Sequence, residues 1–119
     1  MTVKQNLGRQ GELLAKDYLL KRGYKLIAVN CRLGRREIDL IVRQGRQPVF
    51  IEVKTRLQTP DSLSENPLTS RQTLNLKRAI IAYCFKNRLN PETARLDLIV
   101  ILVDRAKKLA RLKHYRNIF

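Results

Sequence analysis

The chain has 119 residues, enough to bury a core, and 44% of them are apolar, which fits a folded protein. No apolar run approaches the roughly 18 residues of a membrane span, and Met-Thr-Val-Lys-Gln-Asn at the start lacks a secretory h-region, so a cytoplasmic protein with no membrane partner is expected. Twenty-five Lys and Arg against ten Asp and Glu leave a net charge of +15, a repulsive burden that a polyanion would relieve, and nucleic acid is the expected partner.

Residues 5–22 read as a helix with Leu7, Gly11, Leu14 and Tyr18 on one face, stopped at Gly23. Residues 24–31 read as a strand, and 32–36 as a basic turn. Two further strands, 37–43 and 48–54, flank the loop Gln44-Gly45-Arg46-Gln47 and form a hairpin. Residues 57–68 carry Pro, Asp, Ser and Asn and read as a flexible loop. A basic helix follows over 70–88, capped by Ser70, with Leu74, Ile81, Cys84 and Phe85 turned inward. Residues 96–103 form the most apolar run, a buried strand that should pair in parallel after its helical crossover. Asp97 in it reads as a local structural partner, and residues 108–115 read as a last strand. Cys31 and Cys84 form no CxxC pair, which argues against zinc and for two reduced, buried thiols. The order αβββαβ(β) predicts a single α/β domain over 1–119, a mixed central sheet flanked by helices.

Within the hairpin, pairing Arg43 with Pro48 sets Asp39 opposite Glu52 and Glu37 opposite Lys54. Ile38, Leu40, Val42, Val49, Ile51 and Val53 then form an aliphatic face. Opposed side chains on a sheet stand roughly 5 Å apart at Cβ, and like charges there repel. A divalent cation would compensate the two acids, and Mg²⁺ or Mn²⁺ suits two carboxylates with waters. An ordinary hairpin with an Asp/Glu/Lys salt-bridge cluster explains the same residues. Three of only ten acids fall here, however, and a protein that merely held phosphates would gain nothing from them. That contrast favours a nuclease over a simple binder. Glu12 alone reads as a solvated charge near a helix start.

The chain resembles the YraN family of small bacterial proteins. The likeness rests on Gly11-Glu12 with Ala15 and Tyr18, Gly23-Tyr24, Asn30, Arg32, residues 37–41 (EIDLI), residues 49–56 (VFIEVKTR), Lys77, and Arg95-Leu96-Asp97. It departs from the family in having Arg36 where Gly usually precedes the Glu of EIDLI. The resemblance implies a restriction-endonuclease-like fold similar to Holliday-junction resolvases. It also implies catalytic roles for Glu12, Asp39, Glu52 and Lys54, with Asp39, Glu52 and Glu12 as metal ligands. Branched DNA is the implied substrate, and the two-fold character of a four-way junction would suit a homodimer. Lys54 would orient water or stabilise developing charge. Thr55 and Arg56 would touch neighbouring phosphates, and Arg32, Arg35, Arg36, Lys77 and Arg78 would hold the backbone. The expected activity is metal-dependent endonucleolytic cleavage of DNA. The alternative is a non-catalytic nucleic-acid-binding protein that retains a nuclease fold.

Overall fold

A computed structural model describes residues 3–59 and 68–118. Helix α1 (Val3–Lys21) leads into strands β1 (Lys25–Leu33), β2 (Arg36–Gln44) and β3 (Gln47–Leu57). Helix α2 (Ser70–Lys86), a single 3-10 turn (Pro91–Thr93), and strands β4 (Arg95–Asp104) and β5 (Leu109–Tyr115) follow. The five strands form one mixed sheet in the order β1-β2-β3-β4-β5. Only β3 and β4 run parallel, as the helical crossover requires. The expected α/β architecture is therefore present. No helix among the described residues is long and apolar enough to cross a membrane.

Both hairpin turns are tighter than expected. Leu33 pairs with Arg36 and Gln44 with Gln47, leaving only Gly34-Arg35 and Gly45-Arg46 as turns. In each the first residue has positive φ, +64° at Gly34 and +60° at Gly45, which glycine adopts without a steric penalty. The loop expected over 57–68 starts later, because β3 runs through Leu57; residues 60–67 lie outside the described residues.

Each face of the sheet carries a core. On one, α1 contributes Ala15 and Leu19 against Leu40, Val42, Val49, Ile51, Val53, Ile99 and Ile101. On the other, α2 contributes Leu76, Ala79, Ile80 and Cys84 against Ile38, Ile41, Phe50, Leu96, Leu98 and Val100. The inward faces of both helices differ from expectation. On α1 the seam is Gly11, Ala15 and Leu19, and Leu14 is half-exposed. Small residues win because the helix lies very close to the sheet: a Cβ at Gly11 would collide with the Thr55 hydroxyl. On α2, Leu74, Ile81 and Phe85 face outward, Phe85 with 75% of its surface exposed. Only Cys84 of the four expected residues is buried. The cap of α2 is Thr69, not Ser70. Its hydroxyl accepts from Gln72 N–H (3.1 Å) while the Gln72 side chain accepts from Thr69 N–H (3.0 Å), a reciprocal capping box. Cys84 is buried and Cys31 only partly so, and both thiols are free.

Ile38 is a further correction. Strict alternation would place it with Leu40 and Val42, yet it joins Ile41 on the α2 side. The parity of β2 changes at Asp39. Across from Asp39 on β1, between the pairs Val29↔Leu40 and Cys31↔Ile38, Asn30 has φ +48°, a left-handed conformation that Asn tolerates better than most residues.

At the far end of the sheet Asp97 is fully buried and fully engaged. Arg95 donates to both of its oxygens (2.9 Å each), His114 Nε2 to Oδ2 (2.7 Å), and Asn117 N–H to Oδ1 (3.0 Å). A carboxylate can only accept, so Nε2 carries the proton toward Asp97, while Nδ1 forms a hydrogen bond with the Tyr18 hydroxyl (3.0 Å). Arg95 also reaches Tyr24 Oη (2.9 Å). Burial alone would raise the Asp97 pKa; the bonds from His114, Arg95 and Asn117 outweigh it and hold the carboxyl below its ordinary range. Asp97 is thus a structural partner, but one that joins α1, β4, β5 and the C-terminal segment rather than acting locally.

Candidate metal and nucleic-acid site

The β2–β3 hairpin has the expected register, from Gln44↔Gln47 through Arg43↔Pro48 to Leu40↔Ile51, where the ladder ends. Beyond it the Asp39 side chain does what a backbone carbonyl would otherwise do: Oδ2 accepts from Val53 N–H at 2.8 Å. Asp39 and Glu52 are neighbours whose charges influence each other, as their expected opposition predicts. Lys54, two residues on and on the same face, places Nζ 3.4 Å from Glu52 Oε1. The expected Glu37–Lys54 pair does not form in the ladder; Glu37 pairs instead with Arg32 across β1.

Both acids are only partly compensated. Burial pushes the Glu52 carboxyl up to about 7, and Asp39 adds to that rise while Lys54 opposes it. Asp39 is also raised, first by burial and then by Glu37, despite the Val53 N–H and Lys54. Glu12 on α1 is raised by burial, then by Asp39 and Glu37. With its amide turned to satisfy both neighbours, Asn30 donates to Glu37 Oε1 (3.0 Å) and Glu12 Oε2 (3.2 Å), tying the helix acid to the strand acid. The four acids thus share one electrostatic neighbourhood at the point where β2 changes parity.

A cleft of roughly 190 Å³ opens here, lined by Arg36, Glu37, Glu52 and Lys54 from the sheet and by Leu68, Gln72, Asn75 and Leu76 on the α2 side. Among the described residues no three His, Cys, Asp or Glu side chains are close enough to hold a metal ion by themselves. Mg²⁺ commonly takes only one or two carboxylates and keeps several waters. The donor set therefore fits a hydrated divalent cation on Asp39 and Glu52, with Glu12 outside direct reach. A pair of half-buried carboxyls with too little positive charge around them is the observation that makes this fit.

The basic residues fall in different places. Arg36 lines the cleft; Arg32, Arg35, Arg56, Lys77 and Arg78 are exposed on β1, the first turn, β3 and α2. Arg56 turns back to donate to Thr55 O (3.0 Å). Thr55 cannot touch a phosphate as expected: its hydroxyl is buried without a partner against Gly11. It sits one residue beyond Lys54, so alternation turns it to the α1 face. Sequence reasoning missed Asn30 and Asn75 as members of the site. The positive φ of Asn30 leaves no sequence signal beyond the residue type.

A UPF0102 protein of Pelotomaculum thermopropionicum is 36% identical over 119 residues, which is 98% of each chain. One of Syntrophomonas wolfei is 37% identical over 118 residues, covering 98% of this chain and all of the relative. Among solved structures, one described as Pyrococcus furiosus SfsA in complex with Ca²⁺ aligns over 94% of this chain at 12% identity, with a TM-score of 0.44. This chain spans 63% of the length of that protein. The sequence profile described as "Uncharacterised protein family UPF0102" matches residues 11–101, a span that holds every acid of the cleft, and the chain belongs to that family, the YraN family.

Proposed function

We propose that the protein is a metal-dependent endonuclease acting on nucleic-acid phosphodiesters, with structured or branched DNA as the preferred substrate. One observation carries the reading: a chain of net charge +15 sets two half-buried acids, Asp39 and Glu52, side by side, with Glu52 and Lys54 lining an open cleft. Charge opposite to the rest of the surface, placed where it is costly, points to chemistry rather than to adhesion.

Asp39 and Glu52 would hold Mg²⁺ or Mn²⁺, and Glu12 would act through a water. The bound cation would supply Lewis acidity toward the phosphodiester and acidify the attacking water. Lys54 Nζ, anchored by Glu52 at 3.4 Å, would donate to a phosphate oxygen as negative charge develops on it. Val53 N–H fixes the Asp39 carboxylate, so that its orientation is set before substrate arrives. The exposed Arg and Lys residues would hold the flanking backbone through charge, with a steep dependence on salt. A symmetric homodimer would match the two-fold character of a four-way junction.

The test is a panel of linear, nicked, flapped, four-way and single-stranded DNAs and an RNA, incubated with Mg²⁺ or Mn²⁺. Wild type should cleave at least one DNA, and Asp39→Asn should lose on the order of a thousandfold in rate, the scale on which removal of one electrostatic contributor acts. Equal cleavage by both proteins would assign the activity to a contaminant. Tight binding without cleavage by either would leave the binding-only reading.

A further inference from the structure

Arg36 and Asn75 bridge the cleft from β2 to α2. Arg36 Nη2 donates to Asn75 Oδ1 at 2.9 Å, although the two are 39 residues apart. Glu37 and Glu52 line the same cleft, and a guanidinium beside carboxylates ordinarily forms a two-pronged ion pair with one of them. Here it does not. Lys54 pairs with Glu52 and Arg95 with Asp97, whereas Arg36 forms no ion pair among the described residues. A neutral amide pins the guanidinium while leaving its charge uncancelled. Guanidinium has five N–H donors in a planar fork, and the bond to Asn75 uses one. A cleft of roughly 190 Å³ is smaller than the ~300 Å³ at which ligand pockets begin. It has room for a phosphate group and part of a sugar.

We propose that Arg36 binds a backbone phosphate of a single nucleic-acid strand beside the acid pair, and that Asn75 is the positioning residue that aims it. The proposal rests on the nuclease reading of this cleft; of the basic residues expected at the backbone it singles out Arg36, and it adds Asn75 as the support that aims it. Asparagine serves here because aspartate would hold the fork equally well and cancel its charge.

The test measures binding of a short fluorescent single strand to the full chain, in chelator and across a series of salt concentrations. Without metal or cleavage, the outcome is independent of catalysis. Arg36→Ala should weaken binding roughly tenfold at low salt and flatten the log–log salt dependence by roughly 0.7, the share of one phosphate contact on a single strand. Asn75→Asp should reproduce that flattening with the arginine still present. Asn75→Ala should lose affinity but keep the wild-type slope, and adding it to Arg36→Ala should cost nothing further. Arg36→Lys should restore the slope and only part of the affinity. Thermal unfolding checks that each variant folds, and Asn75→Gln, which keeps an amide at the wrong reach, stands in for any that does not. Wild-type slope and affinity in Arg36→Ala and Asn75→Asp, or additive losses in the double variant, would overturn the proposal alone. A wild type that binds no strand would overturn the nuclease reading with it.

Discussion

The molecule withdraws two groups of acids from water, Asp97 wholly and Asp39 with Glu52 in part, and treats them in opposite ways. Asp97 is enclosed by Arg95, His114 and a backbone N–H, and its pKa is lowered. Asp39 and Glu52 share one backbone N–H and one lysine, and both pKa values are raised. Both sites pay for desolvation, and only one recovers it from the protein. A fully satisfied acid holds a fold together, whereas an under-compensated pair beside an open cleft is the kind of arrangement found at functional sites.

The difference has opposite signs under mutation. Asp97→Ala strands the half-buried Arg95 guanidinium and should cost about 3 kcal/mol in urea unfolding. A loss below 1 kcal/mol would show that the Arg95–His114 cluster is not the anchor described above. Glu52→Gln should do the reverse in the absence of metal. A carboxyl whose folded pKa is raised contributes stability that is full below the unfolded value, near 4.5, and lost as pH rises through about 7. The loss is on the order of 3 kcal/mol at 1.36 kcal/mol per pH unit. Glu52→Gln should therefore match wild type near pH 4.5 and exceed it at pH 8, in paired denaturation curves. Parallel curves at both pH values would remove the basis for an under-compensated pair. Tyr18→Phe tests the outer edge of the satisfied cluster. It removes the hydroxyl on His114 Nδ1 and should cost about 1 kcal/mol, with no effect on the Glu52 titration. A change in that titration would mean that the two acid groups are coupled through the sheet.

The element order, the hairpin register and the parallel crossover were legible because turn residues and strand runs are local signals. Asp39, Glu52 and Lys54 followed from that register. The inward faces of the helices were not legible. Counting large residues favoured Leu14, Leu74 and Phe85; Gly11 was read correctly, but Ala15 beside it, and Leu76, Ala79 and Ile80 on α2, were not. The parity change at Asp39 was equally hidden, as was the left-handed backbone of Asn30 across from it. Glu12 needed the resemblance, because its link to the cluster runs through Asn30. For Asp97 the sequence shows Arg95 two positions away, but not His114 or Tyr18, which reach it only through the fold.

The contact between Gly11 and Thr55 reaches into the chemistry of the next residue along. Glu12 follows Gly11 directly, so the height of its carboxyl above the sheet is set by a methyl group that is not there. Any side chain at position 11 would act as a shim, lifting the first turns of α1 and drawing Glu12 away from Asn30 and the paired acids below.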